Sequence, residues 1–101
     1  MSAKVMVVDD ESAIRSLLGT VLVREGYEVS EAGGAATLRD FFSGPQPDLI
    51  LLDLKLPDGE GLDLLPEIKK IWSGTEVIIL TGHATIDAAV SATKLGAYDF
   101  Q

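Results

Sequence analysis

Short, fully apolar segments alternate along the chain with longer stretches in which apolar residues recur three and four positions apart. The short segments predict buried strands and the longer ones predict helices. Strands are therefore expected at residues 4–8, 49–52 and 77–80, and an alternating, half-exposed strand at 27–31. Helices are expected around residues 14–22, 35–42, 61–72 and 85–95, the third with a kink or a late start at Pro66.

This alternation is a strand–helix unit repeated about four times. Strands that are apolar on both faces and joined by helices indicate a parallel sheet covered on both sides. Because such crossovers are right-handed, we expect a doubly wound α/β fold in one domain spanning residues 1–101. The first helix should contribute to the core through its apolar stripe, which consists of Ile14, Leu17, Leu18, Val21 and Leu22.

Polar residues follow the strands at the edge where ligands of this fold class bind. Asp9 and Asp10 end the first strand, Asp53 ends the next parallel one, and Thr81 with Gly82 ends the one after. Carboxylates brought together repel each other, and a hard cation such as Mg²⁺ relieves that repulsion. A cation, a hydroxyl and an open backbone N–H suit phosphoryl transfer, in which a carboxylate can be the acceptor.

Each of these residues also has a purely structural interpretation. Asp10 could cap the helix that follows it, and Asp53 could be an acid in a solvated loop. The segment 57–59 could be only a turn, and Thr81 a turn or capping residue. His83 could be an incidental loop histidine. What favours a site is the joint placement of the acids and Thr81 at the ends of successive apolar strands.

Composition narrows the functional classes. Among 101 residues, 16 acidic against 8 basic side chains give a net charge of −8, which argues against nucleic-acid binding by this segment. The absence of cysteine excludes disulfides and thiolate metal sites. No stretch approaches the ~20 apolar residues of a membrane span, and residues 1–4 lead directly into a strand. A soluble cytoplasmic protein is expected.

Four segments together resemble the receiver domain of response regulators, the phosphoacceptor module of two-component signalling. They are VMVVDDE (5–11), LILLDLKLPDGEG (49–61), VIILTGHA (77–84) and KLGAYDF (94–100), in the order and spacing of that family. The resemblance covers essentially the whole chain. The last two segments are most similar to receivers of the nitrogen-regulator type, which often precede an AAA+ ATPase and a DNA-binding domain.

The resemblance implies a flavodoxin-like sheet of strand order 2-1-3-4-5 and a role for each site residue. Asp53 would be phosphorylated. Asp10, Asp53 and the backbone carbonyl of Lys55 would ligate Mg²⁺, with Asp9 assisting through water. Thr81 would hydrogen-bond the phosphoryl group and act in catalysis beside Asp53.

The resemblance also implies a switch and its partners. Gly82 would bind the phosphoryl group, Phe100 would be the switch aromatic that follows Thr81, and Lys55 and His83 would tune the phosphoryl lifetime. A histidine kinase or a histidine phosphotransfer protein would donate the group. The domain would catalyse its own phosphorylation and slow dephosphorylation, but act mainly as a signalling switch. Its output domain, DNA-binding in the nitrogen-regulator type, would connect it to transcription regulation.

The chain departs from the family pattern at its end. It stops at Gln101, before the lysine that the family carries after the switch aromatic, and Lys94 on the preceding predicted helix does not substitute for it. Most of the fifth strand and the whole fifth helix would therefore be missing. We then expect residues 77–80 to form an exposed apolar edge and one sheet face to lack cover, which favours self-association or swapping of elements.

Three alternatives from other classes stay open. A phosphohydrolase with an aspartyl nucleophile would commonly need an acid two residues after it, where Lys55 stands, and a cap domain. A receiver-like interaction domain would never carry phosphate, although the intact acids and Thr81 argue against that. A flavin-binding protein would need a phosphate loop after the first strand, where residues 9–11 would instead repel phosphate.

Overall fold

Seven strands form two sheets in the structure, a computed structural model that describes residues 3–80 and the backbone of residues 99–100. In chain order the strands are β1 (Lys4–Val8), β2 (Glu28–Ala32), β3 (Leu49–Asp53), β4 (Lys55–Leu56), β5 (Gly59–Glu60), β6 (Glu76–Leu80) and β7 (Asp99–Phe100). The main sheet is parallel with the order β2-β1-β3-β6-β7. Because β4 and β5 pair only with each other, this order confirms the predicted 2-1-3-4-5 arrangement.

Three helices connect these strands within the described residues. They are α1 (Ser12–Arg24), α2 (Ala35–Asp40), which continues into a 3-10 turn at Phe41–Ser43, and α3 (Gly61–Ile71). The third helix begins at Gly61 and continues through Pro66, so of the kink or late start expected at Pro66 the late start is wrong. No described helix is both long and apolar enough to cross a membrane. The helix expected at 85–95 lies outside the described residues.

One face of the sheet carries the main hydrophobic core. Alternate side chains of β1, β3 and β6 point to this face, and α2 and α3 cover it. Its strand residues include Met6, Val8, Ile50, Leu52, Val77 and Ile79, and its helix residues include Leu38, Leu64, Leu65, Ile68 and Trp72. Phe42 packs edge-on against Trp72, with ring centroids 4.9 Å apart. These contacts fix the strands whose carboxyl ends carry the acids.

The opposite face is covered mainly by α1, and the expectation for its apolar stripe holds for Leu18 and Leu22 but is wrong for the other three residues. Ile14, Leu17 and Val21 are 37%, 64% and 45% exposed. The side of α1 that is less exposed is the stripe formed by residues 15, 18, 19 and 22, of which Gly19 is buried against Val29 of β2. The small residue lets the helix approach the sheet, and the three exposed apolar side chains are rotated away from it.

The expectation that residues 77–80 form a free edge is also wrong. Strand β7 pairs with β6 in parallel register, Ile78 with Asp99 and Ile79 with Phe100. Two residues therefore suffice to occupy the fifth position of the sheet. Beyond the area covered by α1, however, Leu51, Ile78 and Leu80 stay only half-buried.

The amino ends of the strands are tied by hydrogen bonds between distant segments. The backbone N–H of Lys4 donates to Asp48 Oδ2 at 2.7 Å, and that of Gly74 donates to Gln46 Oε1 at 3.0 Å. The hydroxyl of Thr75, which is fully buried, donates to the carbonyl of Pro47 at 2.7 Å. This end of the sheet lies opposite the carboxyl ends that carry the acids.

Candidate functional site

Three carboxylates converge at the carboxyl edge of the sheet. Each of Asp9, Asp10 and Asp53 offers an oxygen, and these oxygens all lie within 4.8 Å of one another. The register explains the convergence: Val8 of β1 is the partner of Leu52 of β3, so the residues that follow them come together. The structure thus brings together the acids that the sequence places at strand ends.

The three carboxylates have different surroundings. Asp9 is buried, and its Oδ1 accepts the backbone N–H of Glu11 at 2.9 Å. Asp10 is exposed and Asp53 is half-buried. The N-cap of α1 is Glu11, with no side-chain capping bond, so the interpretation of Asp10 as a helix cap is not supported. Asp9 is held in place, whereas Asp10 is accessible to a ligand.

The environment of Asp53 disfavours its charged form. Burial raises the pKa of this carboxyl above its ordinary value, and the nearby charges of Asp9 and Asp10 raise it further. Two hydrogen bonds act in the other direction and lower the pKa of Asp53. They come from the backbone N–H of Lys55, which lies 3.2 Å from Oδ1, and from that of Leu54. The net pKa shift is upward, and a cation between the carboxylates would oppose it.

The donor set fits a hard divalent cation. Mg²⁺ takes oxygen ligands at about 2.0–2.1 Å, so two ligands on opposite sides of it are about 4.2 Å apart. The carboxylate oxygens, at up to 4.8 Å, need to move little to reach that spacing. Because Asp10 is exposed and Asp53 is only half-buried, the site is open to solvent on one side. That side leaves room for the waters and phosphate oxygens that Mg²⁺ usually keeps as ligands.

Arg15 of α1 supports the loop that carries Asp9 and Asp10. Its Nη1 donates to the backbone carbonyl of Asp9, and its Nε donates to Glu31 Oε1 at 3.3 Å. The side chain is only 20% exposed. The helical pattern of the sequence does not predict this role, because it does not show that a polar residue after the acids turns back toward them.

The loop after Asp53 forms a small antiparallel hairpin. Strands β4 and β5 pair Lys55 with Glu60, and the ammonium of Lys55 lies 3.5 Å from Glu60 Oε1. The turn predicted at 57–59 is therefore present between them. The turn also contacts the start of α2. Asp58 Oδ1 accepts a hydrogen bond from the backbone N–H of Ala35 at 2.7 Å, and Oδ2 accepts one from that of Ala36 at 2.9 Å.

Gly61 fixes where α3 begins relative to the acceptor strand. Its N–H donates to the carbonyl of Leu54 at 2.8 Å. A Cβ at this position would lie 2.3 Å from the carbonyl oxygen of Asp53 and 2.9 Å from the Cα of Leu54. Only glycine allows the helix start and the end of β3 to approach so closely.

Several predicted residues fall outside the described part of the chain. Thr81, Gly82 and His83 belong to this group, and for Phe100 only the backbone is described. Leu80, the last described residue before Thr81, is the register partner of Asp53. The backbone of Phe100 pairs with that of Ile79.

Comparisons with known proteins agree with this fold. The family profile described as the response regulator receiver domain matches residues 5–100. The DNA-binding transcriptional regulator NtrC of Azospirillum brasilense is 40% identical over 98% of this chain and 21% of its own length. The sporulation initiation phosphotransferase F of Bacillus subtilis is 36% identical over 96% of this chain and 78% of its own length.

A solved structure matches equally well. The receiver domain protein of Methanospirillum hungatei JF-1, described as CheY-like, superposes with a TM-score of 0.94 at 33% identity, over 99% of this chain and 80% of that one. The chain spans about a fifth of the length of the NtrC relatives. It belongs to the response regulator receiver domain family and is similar over nearly its whole length to the receiver segments of NtrC-type regulators.

Proposed function

We propose that this chain is a phosphorylation-dependent signalling switch in which Asp53 accepts a phosphoryl group from the phosphohistidine of a kinase or phosphotransfer protein. The observation that carries the proposal is the convergence of Asp9, Asp10 and Asp53 within 4.8 Å at the carboxyl edge of the sheet. The mutual repulsion of three such carboxylates is unfavourable, and a bound cation would relieve it.

Each carboxylate has a distinct part in this reaction. An oxygen of Asp53 attacks the phosphorus, a P–O bond forms, the P–N bond to histidine breaks, and the released imidazole takes a proton. Asp10, Asp53 and the carbonyl of Lys55 would hold Mg²⁺, and Asp9 would assist them. The ion would supply positive charge that offsets the carboxylates and the phosphoryl oxygens during transfer. The backbone N–H groups of Leu54 and Lys55 steady the acceptor carboxylate.

We further propose that the resulting aspartyl phosphate biases a two-state element beyond β6. The phosphate offers the hydroxyl of Thr81 and the N–H of Gly82 a new acceptor, and Phe100 responds to the movement of Thr81. Such a differential interaction is what a shift between two conformations requires. The domain catalyses its own phosphorylation and the slow loss of the group, and its main role is that of a switch.

The partners follow from the same proposal. A histidine kinase or histidine phosphotransfer protein donates the phosphoryl group in the cytoplasm. The relative NtrC is described as a DNA-binding transcriptional regulator, so we propose an output domain in a longer protein that acts on transcription. The net charge of −8 argues that this segment itself does not bind nucleic acid.

Intact mass after incubation with Mg²⁺ and acetyl phosphate tests the acceptor. The folded wild-type protein is expected to gain one phosphoryl group, and Asp53→Asn is expected to gain none, because the amide is not a nucleophile for this transfer. Asp40→Asn is the matched control, since exposed Asp40 lies outside the carboxylate cluster. Equal labelling of Asp53→Asn, or no labelling of folded wild type, would contradict the proposal.

We also propose that two copies of this chain associate through α1. Ile14, Leu17 and Val21 form one exposed apolar stripe, and a two-fold pair of copies would bury the same stripe on both. Light scattering at rising concentration is expected to show dimers for wild type and monomers for Leu17→Glu. The control Ser16→Glu, on another side of the helix, should still dimerise. A monomeric wild type at high concentration would refute this contact.

A further inference from the structure

Helix α2 is capped from outside its own segment. It is preceded by Gly33 and Gly34 and has no side-chain capping bond from its own N-cap residue. The free N–H groups at its first turn are instead bonded by the carboxylate of Asp58, which lies 22 to 23 residues away in the sequence. Each carboxylate oxygen takes one N–H, so the contact fixes the orientation of the carboxylate as well as its place.

The same carboxylate sits in the loop that leaves the acceptor strand. Asp58 lies in the turn between β4 and β5, and that hairpin starts at Lys55, whose N–H donates to Asp53 Oδ1 at 3.2 Å. A Cβ on Gly59 would be in ordinary contact, 3.6 Å, with that of Ala35, so the hairpin lies directly against α2. The turn is thus braced against a helix that the core holds through Ala35 and Leu38.

Gly34 shows how tightly this contact is built. A Cβ there would lie 2.7 Å from Asp58 Oδ1, yet its φ of −175° is extended backbone that any residue adopts. A side chain at Gly34 would push the Asp58 carboxylate out of its present position. The N–H groups of Ala36 and Ala35, in that order, lower the pKa of Asp58 below its usual value, and the charge of Arg39 adds to this effect.

We propose that Asp58 is a positioning residue that braces the loop after Asp53 against α2 and so holds the backbone carbonyl of Lys55 where a cation bound by the three carboxylates needs it. This inference rests on the proposed function, because it assigns Asp58 a role in the Mg²⁺ site of that reaction. Asp58 itself touches neither the metal nor the phosphoryl group. It acts through the two-stranded hairpin, which leaves the loop little freedom once its turn is fixed.

Magnesium titration calorimetry on four proteins tests this assignment. Asp58→Ala removes the contact, and Gly34→Ala displaces the carboxylate without changing the charge. Both are expected to weaken Mg²⁺ binding by about tenfold, the effect typical of losing a group that orients a metal ligand. Asp48→Ala is the control, because Asp48 makes the same kind of contact, with the N–H of Lys4, at the opposite end of the sheet. It should bind Mg²⁺ as wild type does.

Amide NMR shifts of the metal-free proteins provide a second readout. Asp58→Ala and Gly34→Ala should shift the amides of Ala35 and Ala36, and also those of Lys55 and Leu56; Asp48→Ala should leave all four unchanged. The proposal would be overturned if Gly34→Ala changed the amide shift of Ala35, as loss of the Asp58 contact should, and yet bound Mg²⁺ as tightly as wild type does. If wild type binds no Mg²⁺, the proposed function fails. The role of Asp58 can still be tested in that case, because unchanged amide shifts of Lys55 and Leu56 in Asp58→Ala would show that Asp58 does not position the loop.

Discussion

Gly61→Ala is expected to destabilise the protein by about 3 kcal/mol, the upper part of the range for overpacking a close contact. The added Cβ would lie 2.3 Å from the carbonyl oxygen of Asp53, and backbone atoms rather than a flexible side chain would have to move. The movement would also displace the end of β3 that carries the acceptor. Urea unfolding measures the loss of stability, and acetyl phosphate labelling measures the loss of phosphorylation in the fraction that stays folded.

Gly59→Ala is the matched control for this substitution. Gly59 lies two residues earlier in the same loop, and a Cβ there meets only Ala35 Cβ at 3.6 Å. Its unfolding free energy should change by no more than about 0.5 kcal/mol, and labelling should persist. If Gly61→Ala is as stable as Gly59→Ala, the close approach of α3 to β3 does not constrain this site.

Mg²⁺ is expected to stabilise wild type by about 2.7 kcal/mol when its concentration is a hundred times the dissociation constant. Without Mg²⁺ at neutral pH, Asp53→Asn should be more stable than wild type by about 1 kcal/mol, the size typical of a single stabilising substitution. The reason is that burial and the charges of Asp9 and Asp10 disfavour the ionised Asp53 carboxylate. Mg²⁺ should stabilise wild type more than Asp53→Asn, because the neutral amide is a poorer ligand than a carboxylate. Adding Mg²⁺ should therefore reduce or reverse the difference in stability between the two proteins.

The pH dependence of this difference follows from the direction of the pKa shift. Since the pKa of Asp53 is raised on folding, the folded state holds its proton to higher pH than the unfolded state does. Wild type should therefore lose stability relative to Asp53→Asn as pH rises from the ordinary aspartate pKa, about 3.9, through the raised one. Urea unfolding at several pH values measures this, with Asp40→Asn as control. A difference that grows toward acid pH would contradict the assigned environment.

Much of this fold is predictable from the sequence because the three central strands, β1, β3 and β6, are short and mostly apolar. Such segments have one stable environment, the middle of a covered parallel sheet, so their order along the chain nearly fixes the architecture. The acidic cluster follows from the same logic, since Asp9 directly follows β1 and Asp53 ends the neighbouring parallel strand β3. Membership of the receiver family then sets aside the flavin-binding alternative.

What the sequence did not predict depends on contacts between distant segments. The helical period places Ile14, Leu17 and Val21 on one stripe, but it does not say which stripe faces the sheet, and the choice depends on Gly19 approaching Val29. Likewise, the sequence around Asp58 predicts a turn but does not show that the carboxylate of Asp58 accepts a hydrogen bond from α2. The one sequence sign of that contact is Gly34 at the start of a helix without a capping side chain of its own.

The two ends of the main sheet should respond differently to mutation, because the amino ends of the strands are joined by hydrogen bonds between distant segments and the carboxyl ends carry the acidic cluster. Near Gln46, Asp48 and Thr75 the chain bonds to itself across 28 to 44 residues, so a substitution there is felt as lost stability and, in a cell, as lower abundance. At the acidic edge a substitution can leave abundance intact and alter only the signal. Mutations that silence a pathway while the protein accumulates normally should therefore cluster at one end of this sheet.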